Sequence, residues 1–372
     1  MSTPSKKTRF LMIGGFLGAG KTTAIARIAR HYLGQGLQVG IVTNDQAHDL
    51  VDTHALRSMG FRVGEVPGAC FCCKFDDLIK TLDKLATDQR PDVVLTEPVG
   101  SCTDLVATVI RPLEQLHGRQ FELGPLAVLF KPEHGRKILS GRSDVGFSPK
   151  AAYIFLKQLE EADLLVVNKV DRLDAAERHQ LVQLVQDRFP DKTVVAASAV
   201  SGDGYATLLR LLDRPRRAGP GSMEVDYDLY AAGEAELGWL NATVDVAAKQ
   251  PDRLQPFDLD PFVLSLVERI RVALACKRVE PVHVKILGRT DQQTAIANLV
   301  GSGARAELSV DSNARTATAH LIINARVAAA PEDLAAIIRQ QVAELADEHG
   351  LDETFATLAS FRPGRPVPTH RI

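Results

Sequence analysis

The sequence predicts an α/β fold in which a parallel sheet is flanked by helices and followed by a smaller α+β domain. Short apolar runs without polar alternation recur through the first half, as expected for strands buried on both faces. Amphipathic stretches of ~10–15 residues separate these runs, which is typical of βαβ units. A stretch rich in Pro, Arg and Gly at 213–222 then marks a change of character.

The predicted strands of the first half follow one another at short intervals. They lie at 10–14, 37–43, 92–96, 126–130, 162–168 and 193–197. A stretch with apolar residues at helical spacing, TTAIARIARHYL, follows the first strand after a glycine-rich turn. We therefore expect parallel pairing, with the carboxyl ends of the strands facing a ligand crevice.

The stretch 213–222 predicts an exposed linker, so we assign residues 1–216 to the first domain and 217–372 to the second. Strand-like runs in the second half lie at 240–247, 281–287 and 316–327, and helix-like runs lie at 261–276 and 331–348. This order fits a small α+β domain. The stretch 361–372 holds three prolines and is predicted to lack regular structure.

Composition excludes several classes of protein. With 44 Lys+Arg against 46 Asp+Glu in 372 residues, the net charge is −2, which argues against a chain that coats nucleic acid or an anionic membrane. No window of ~18 residues is apolar throughout, so no transmembrane helix is predicted. Residues 1–9 are polar and basic, unlike a secretory signal. We expect a cytoplasmic protein without nucleic-acid or membrane partners.

The strongest motif is GFLGAGKT at 15–22, which fits G-x-x-x-x-G-K-[ST] between a predicted strand and a predicted helix. Its glycines let successive backbone N–H groups point at phosphate oxygens, and the following helix adds its N-terminal partial charge. Lys21 would reach the β- and γ-phosphates, Thr22 would bind Mg²⁺, and Thr23 would contact the α-phosphate. The alternative is a glycine-rich turn without a ligand. The predicted nucleotide-binding residues of this loop are Gly15, Gly18, Ala19, Gly20, Lys21, Thr22 and Thr23.

A second motif, Asn168-Lys169-Val170-Asp171, ends the strand predicted at 162–168. The Asp171 carboxylate can accept hydrogen bonds from N1–H and the 2-amino group of guanine, a pattern that adenine does not offer. Lys169 can lie along the base, and Asn168 can tie this loop to the phosphate loop. Alone, the motif could be a helix start capped by Asp171, but with the phosphate loop it favours GTP over ATP. Ser198-Ala199 is either a third base-contacting loop or a plain turn.

Two carboxylates follow predicted strands between these motifs. Asp45 comes after the strand at 37–43, and Glu97 comes after the strand at 92–96. At the carboxyl edge of a parallel sheet, such side chains can hold Mg²⁺ or orient the attacking water. We assign catalysis to Lys21, Asp45 and Glu97, and Mg²⁺ binding to Thr22, Asp45 and Glu97. The alternative for each carboxylate is a helix N-cap or a loop salt bridge.

Three of the five cysteines, Cys70, Cys72 and Cys73, crowd into four positions. An odd number of clustered cysteines does not resemble a disulfide framework. A C-x-C-C cluster can present thiolates to Zn²⁺, Cu⁺ or Co²⁺. Because structural zinc takes four protein ligands, the site is either open or completed from elsewhere, by Cys102 or by a client protein. The alternative is a set of small, partly buried thiols.

The order of these motifs resembles that of the CobW-type P-loop GTPases, a family related to UreG and HypB. The resemblance covers roughly residues 8–215 and implies a P-loop NTPase fold and slow GTP hydrolysis that gates delivery of a metal ion or metallocofactor. The positions that match the family's motifs are Gly15–Thr22, Asn168–Asp171, Glu97 with Gly100, and Glu65 with Cys70, Cys72 and Cys73.

The chain also departs from that family. Gly68-Ala69 stands where Asn-Gly is usual, Pro98-Val99 replaces small hydroxylated residues, and Lys131-Pro132-Glu133-His134 lacks the usual acidic strand end. The second half does not show the expected C-terminal pattern. The cargo therefore stays open among zinc, cobalt, nickel and a corrinoid.

These observations lead to one main functional prediction. The protein binds and hydrolyses GTP with Mg²⁺, and carries Zn²⁺, or else Co²⁺ or Ni²⁺, to a metal- or corrinoid-dependent client protein. The C-terminal domain is expected to bind the client or to form a homodimer. Three alternatives stay open: a GTPase chaperone of a corrinoid-dependent protein, a nucleotide-bound thiol or metal sensor without significant turnover, and a phosphotransferase acting on a small acceptor.

Overall fold

The computed structural model describes residues 6–47, 50–140, 148–216, 223–249, 256–301 and 303–372. The strands are β1 (Thr8–Gly15), β2 (Val39–Asn44), β3 (Val63–Val66), β4 (Val93–Glu97), β5 (Phe121–Leu123), β6 (Ala127–Phe130), β7 (Leu164–Val167), β8 (Thr193–Ala196), β9 (Gly238–Ala248), β10 (Phe257–Asp258), β11 (Pro281–Arg289), β12 (Thr294–Leu299), β13 (Glu307–Val310), β14 (Arg315–Thr316), β15 (Thr318–Val327) and β16 (Leu351–Phe361). The α-helices are α1 (Lys21–Gly34), α2 (Val51–Ser58), α3 (Phe75–Gln89), α4 (Arg111–His117), α5 (Pro132–Leu139), α6 (Pro149–Glu161), α7 (Ala175–Arg188), α8 (Tyr205–Leu212), α9 (Tyr227–Glu234), α10 (Leu259–Cys276) and α11 (Pro331–Glu348). A π-helical turn spans Val106–Ile110 and a 3₁₀ turn spans Val170–Arg172.

The chain forms two compact units. The first comprises Met1–Gln46, Gly60–Gly233 and Arg365–Ile372, and the second comprises Ala47–Met59 and Glu234–Gly364. The boundary after residue 216 stays a prediction about domains. The compact units differ from this boundary: residues 223–233 and 365–372 belong to the first unit, and residues 47–59 belong to the second. Of the predicted linker, residues 217–222 lie outside the described ranges.

The first unit is a P-loop NTPase-like α/β fold. Its strands run in the order β3-β2-β4-β1-β6-β7-β8, β5 adds to β1, and every pairing is parallel. The six predicted strands are confirmed, each to within two residues. Their apolar runs are buried because helices cover both faces of the sheet; all four residues of β6 and of β7 are buried.

The second unit is built on an antiparallel sheet in the order β13-β12-β11-β15-β9-β16, with β10 and β14 forming a separate ribbon. Helices α10 and α11 cover one face of the sheet with a continuous apolar core. The predicted α+β class is confirmed. One detail was wrong: Phe361 is the last residue of β16 rather than part of an irregular stretch.

Helix α2 covers part of the other face of this antiparallel sheet. Val51 and Ala55 pack against Leu287, Ile296 and Ile322. The backbone N–H of Val51 donates to Asn324 Oδ1 at 2.7 Å, and Lys285 forms an ion pair with Asp52. The chain just after Asp45 therefore belongs to the second unit. Within the described residues, we find no helix with the length and apolarity needed to cross a membrane.

Candidate functional site

The loop between β1 and α1 has the backbone that its glycines predict. Gly15, Gly18 and Gly20 have φ values of 132°, 75° and 88°, which L-residues with side chains rarely adopt. A Cβ on Gly20 would lie 2.7 Å from Asn168 Nδ2. Helix α1 begins at Lys21 with Gly20 as its N-cap, so no side chain of the cap residue competes for the first helical N–H groups. The N-terminus of a helix is where backbone N–H groups and the helix dipole together favour an anion.

Lys21, Thr22 and Glu97 meet at the edge of the sheet. Thr22 Oγ1 donates to Glu97 Oε1 at 3.2 Å, and Lys21 Nζ lies 3.8 Å from the same oxygen. Lys21 and Glu97 are only 8% and 6% exposed, so water screens this ion pair weakly. The hydroxyl of Thr22 and the carboxylate of Glu97 form the hard oxygen donor set that suits Mg²⁺.

Asp45 lies at the end of the neighbouring strand. β2 pairs with β4, with Thr43 opposite Glu97. Asp45 is 6% exposed and lies two residues after Thr43 in the sequence. Glu97 is the last residue of β4, so the two predicted carboxylates lie at the carboxyl ends of adjacent parallel strands.

The side chain of Asn168 joins the two predicted nucleotide loops. Its Nδ2 donates to Ala19 O at 2.8 Å, and its Oδ1 accepts from Ala199 N at 3.1 Å. Ser198 is buried beside it and accepts from Ser201 N at 3.0 Å. The phosphate loop, the Asn168 loop and the Ser198-Ala199 loop thus lie together.

Asp171 lies in the 3₁₀ turn and its side chain is exposed. The alternative in which Asp171 caps the following helix is wrong, because the N-cap of α7 is Asp174. Asp174 forms a capping box with Glu177. Lys169, just before the turn, has a φ of 63°. Thr23, on the first turn of α1, is exposed like Asp171.

The cysteine loop, Pro67–Lys74, connects β3 to α3. Its thiols form a tight triangle: Cys70 Sγ lies 2.7 Å from Cys72 Sγ and 3.4 Å from Cys73 Sγ, and the last two are 3.7 Å apart. Cys70 and Cys72 are buried and Cys73 is half-buried. In the described part of the chain, this is the one group of three or more His, Cys, Asp or Glu residues whose donor atoms lie within 4.8 Å of one another.

Cys102 contributes a fourth sulfur beside the triangle. Its thiol hydrogen-bonds to Cys70, and this bond, with those from Cys72 and Cys73, holds the pKa of Cys70 well below its usual range. The hydrogen bond with Cys70 raises the pKa of Cys72, and that of Cys73 rises to about 11 for the same reason. Within the triangle, these hydrogen bonds favour the thiolate form at Cys70.

Two buried amides that sequence reasoning missed hold these loops. Asn44, at the end of β2, hydrogen-bonds to the cysteine loop through both ends of its side-chain amide. Gln158 Nε2 donates to Gly100 O at 3.0 Å and to Cys102 O at 2.8 Å. The signal for Asn44 was its place directly before Asp45. Gln158 sits in an ordinary amphipathic helix and gave no signal.

The eight residues Arg365–Ile372, which we call the cover segment, pack on the cysteine loop. The N–H of Val367 donates to Cys73 Sγ at 3.3 Å. Thr369 donates through its N–H to Cys72 O at 2.8 Å and through its hydroxyl to Cys73 O at 3.2 Å. The segment has no helix or strand, as its prolines predict, yet it is fixed by these bonds.

The segment 131–134, which lacks the acidic strand end usual in the family, places a histidine against the phosphate loop. The ring of His134 packs edge-on against Phe16, with 5.5 Å between ring centroids. Burial lowers the pKa of His134 well below its usual value, so the ring is neutral at pH 7. This side chain supports the loop by packing rather than by charge.

The first unit is similar in sequence to a known family of nucleotide-binding domains. The family model for the CobW/HypB/UreG nucleotide-binding domain matches residues 9–196, just over half of the chain. The chain belongs to the CobW/HypB/UreG family. The match includes the phosphate loop, the cysteine loop and the Asn168 loop.

The individual proteins that this chain is similar to share less than 30% of its residues over the aligned parts. The zinc chaperone YeiR of Escherichia coli (strain K12) is 29% identical over 217 residues, which is 56% of this chain and 60% of YeiR, so the chain spans less than two thirds of that relative. The zinc chaperone CobW of Sinorhizobium sp is 28% identical over 260 residues, covering 61% of this chain and 72% of that protein. The crystal structure of HypB from Helicobacter pylori in complex with nickel aligns with a TM-score of 0.41 and 16% identity, over 56% of this chain and 86% of HypB.

Proposed function

We propose that this protein is a GTPase that couples its nucleotide state to the binding and release of a transition-metal ion, with Zn²⁺ the first candidate, for a client protein. One observation carries the proposal. The phosphate loop, which is hydrogen-bonded to the Asn168 loop, follows one strand of the parallel sheet. The triangle of three thiols follows another strand of the same sheet, so both sites lie at its carboxyl edge. Membership of the CobW/HypB/UreG family and the two relatives called zinc chaperones support it.

The nucleotide would lie across the first unit's sheet edge. Backbone N–H groups of Gly15, Gly18, Ala19 and Gly20 would hold the phosphates, Lys21 would pair with the β- and γ-phosphates, and Thr23 would contact the α-phosphate. Asp171 would read guanine, with Lys169 along the base and Asn168 and Ser198-Ala199 setting the loop geometry.

The donor set at Thr22 and Glu97 fits Mg²⁺, because hydroxyl and carboxylate oxygens are its preferred protein ligands. The ion, when bound, neutralises charge on the phosphates. Glu97 would hold it together with Thr22, and Asp45, one strand away, would share that role or orient the attacking water. Lys21 would stabilise the charge that develops on the transferred phosphoryl group.

The transition metal would bind to Cys70, Cys72 and Cys73, because three thiolates suit Zn²⁺, Co²⁺ or Ni²⁺ better than Mg²⁺. Cys102, already hydrogen-bonded to Cys70, is a candidate for a fourth ligand. If the fourth ligand binds the ion in one nucleotide state and not in the other, the ion has an open coordination position through which a client can take it.

The proposal has two separable tests. Phosphate release from GTP and from ATP is measured with Mg²⁺; we expect turnover of GTP, little of ATP, and loss of turnover in Lys21→Ala. Zn²⁺ affinity of the reduced protein is measured for wild type, Cys72→Ser and Cys276→Ser, the last being a matched control at an exposed cysteine outside the triangle. Equal turnover of ATP would contradict the GTPase assignment, and unchanged Zn²⁺ binding in Cys72→Ser would contradict the metal site.

A further inference from the structure

Asn44 is the side chain through which strand β2 holds the cysteine loop. It is 3% exposed. Its Nδ2 donates to Val66 O and to Ala69 O, both at 2.7 Å, and its Oδ1 accepts from Phe71 N at 2.9 Å. We infer that Asn44 is the positioning residue that transmits the nucleotide state of the β2 strand end to the metal-binding thiols. This inference rests on the proposed function and assigns a residue to its coupling.

The three bonds bracket the part of the loop that sets the thiol geometry. Val66 is the last residue of β3, and Phe71 stands between Cys70 and Cys72. The Phe71 side chain is fully buried, so its backbone cannot rotate freely. A displacement of Asn44 therefore moves Phe71, and with it the Sγ atoms on either side.

The rest of the loop follows the same anchor. Cys70 O accepts from Cys73 N and from Lys74 N, both at 3.0 Å, which closes the turn that leads into α3. Cys73 is thereby tied to Cys70. All three sulfurs thus depend on where the amide of Asn44 places the segment 69–71.

The other end of the connection is the nucleotide edge of the sheet. Asn44 is followed directly by Asp45, and Thr43 lies opposite Glu97 in the pairing of β2 with β4. Glu97 accepts the hydroxyl of Thr22 on the phosphate loop. If binding of the γ-phosphate and Mg²⁺ moves the end of β2, that movement would reach the thiols through a single side chain, that of Asn44.

A purely structural role for Asn44 makes a different prediction. If the amide only stabilised the loop, its removal would weaken metal binding equally in every nucleotide state. If it transmits the state, its removal abolishes the difference between states. The informative quantity is therefore the ratio of the metal affinities measured with the GTP analogue and with GDP. By linkage, metal binding changes the preference of the protein for the GTP analogue over GDP by this same factor.

The experiment uses the full chain, reduced and freed of metal, as wild type, Asn44→Ala and Asn241→Ala. Asn241 is a matched control, since it is also a buried asparagine whose side chain is hydrogen-bonded, to Arg326 in the second unit. Co²⁺ affinity is measured with GDP and with a non-hydrolysable GTP analogue, and the sulfur-to-cobalt charge-transfer band reports the thiol geometry. Affinity for both nucleotides without metal is measured in parallel.

For wild type and Asn241→Ala we expect the two states to differ by about 5-fold or more, within the usual range for coupled sites. For Asn44→Ala we expect a ratio near one, the same charge-transfer spectrum in both states, and unchanged nucleotide affinity. A wild-type ratio retained in Asn44→Ala would overturn the role of Asn44 and leave the proposed function standing. A ratio of one in wild type would overturn both.

Asn44→Asp is the second variant if Asn44→Ala does not fold. It is nearly isosteric and keeps the acceptor for Phe71 N–H, but it loses both donors to Val66 O and Ala69 O. We expect it to reduce the ratio as well. Retention of the full wild-type ratio in Asn44→Asp would contradict transmission through the amide donors.

Discussion

The phosphate loop and the cysteine loop lie at the same edge of one parallel sheet but are held in different ways. The phosphate loop takes its shape from its own glycines, three of which have positive φ. The cysteine loop takes its shape from residues far away in the sequence: Asn44 on one side and Val367 and Thr369 of the cover segment on the other. A loop that carries its own geometry binds the same ligand in the same way each time, whereas a loop held by other segments can respond to them.

The largest expected effect is at the base loop. Asp171→Asn should lower GTP affinity by about 100-fold, because hydrogen bonds to a charged acceptor contribute about 1.5–3 kcal/mol each. In the variant the Asn NH₂ group faces the 2-amino group of guanine, so that bond is lost, and the bond from N1–H is made to an uncharged oxygen. The substitution should also raise affinity for XTP, whose 2-carbonyl accepts from the Asn amide. Asp174→Asn is the control, since Asn replaces Asp well as the N-cap of α7. Fluorescent-nucleotide titration measures both; a preference for GTP unchanged by Asp171→Asn would contradict the assigned base contact.

The next effect tests whether the phosphate loop depends on its glycines. Gly20→Ala should weaken nucleotide binding by about 10- to 100-fold, because a side chain at φ 88° costs about 1–3 kcal/mol and its Cβ would meet Asn168. Gly34→Ala, at the end of α1, is the matched control, since a Cβ there meets nothing within 4 Å. Equal nucleotide affinity of the two variants would show that the loop does not need this backbone shape.

A third prediction tests the external hold on the cysteine loop. Thr369→Pro removes both hydrogen bonds from Thr369, worth about 1 kcal/mol each, so the reaction of Cys73 with a thiol reagent should accelerate roughly 10- to 30-fold. Thr369→Ala keeps the N–H and should give a smaller acceleration. A Cys276→Ser background removes the signal of an exposed thiol. If Thr369→Pro and its parent react at the same rate, the cover segment does not protect Cys73.

A fourth prediction concerns the pH dependence of stability. Glu161 accepts hydrogen bonds from Thr103 and from Val106 N, just beyond Cys102, and burial raises its pKa from 4.5 to about 8, helped by the charge of Asp104. Between pH 4.5 and about pH 8, Glu161 therefore keeps its proton in the folded state but has released it in the unfolded state. Stability should fall with rising pH across that range, by at most about 1.4 kcal/mol per pH unit, and level off above it. Urea unfolding of wild type and Glu161→Gln measures this; the same slope in both would exclude Glu161 as its source.

The comparison also explains what the sequence could and could not predict. The parallel sheet was predictable because its strands are short, apolar and buried on both faces. β3 was missed because its residues VGEV are mostly half-buried and form no apolar run. β16 was missed because polar residues alternate along an exposed strand.

The same reasoning applies to the candidate site. The phosphate loop was predictable because its chemistry is contiguous, from Gly15 to Thr22. The cysteines were visible as a cluster, but Asn44 and the cover segment were not, since their roles arise from contacts between segments that sequence spacing does not encode. The three prolines of 361–372 predicted irregular structure correctly from residue 362 onward, but they said nothing about where that segment binds.

The central claim is that nucleotide state changes metal affinity in this one protein. The most direct test is calorimetric titration of the reduced, metal-free wild-type protein with Zn²⁺, in the presence of GDP and of a non-hydrolysable GTP analogue. We predict affinities that differ by about 5-fold or more between the two states. Equal affinity in both states would contradict the claim, and the cysteine loop would then be a metal site independent of the GTPase.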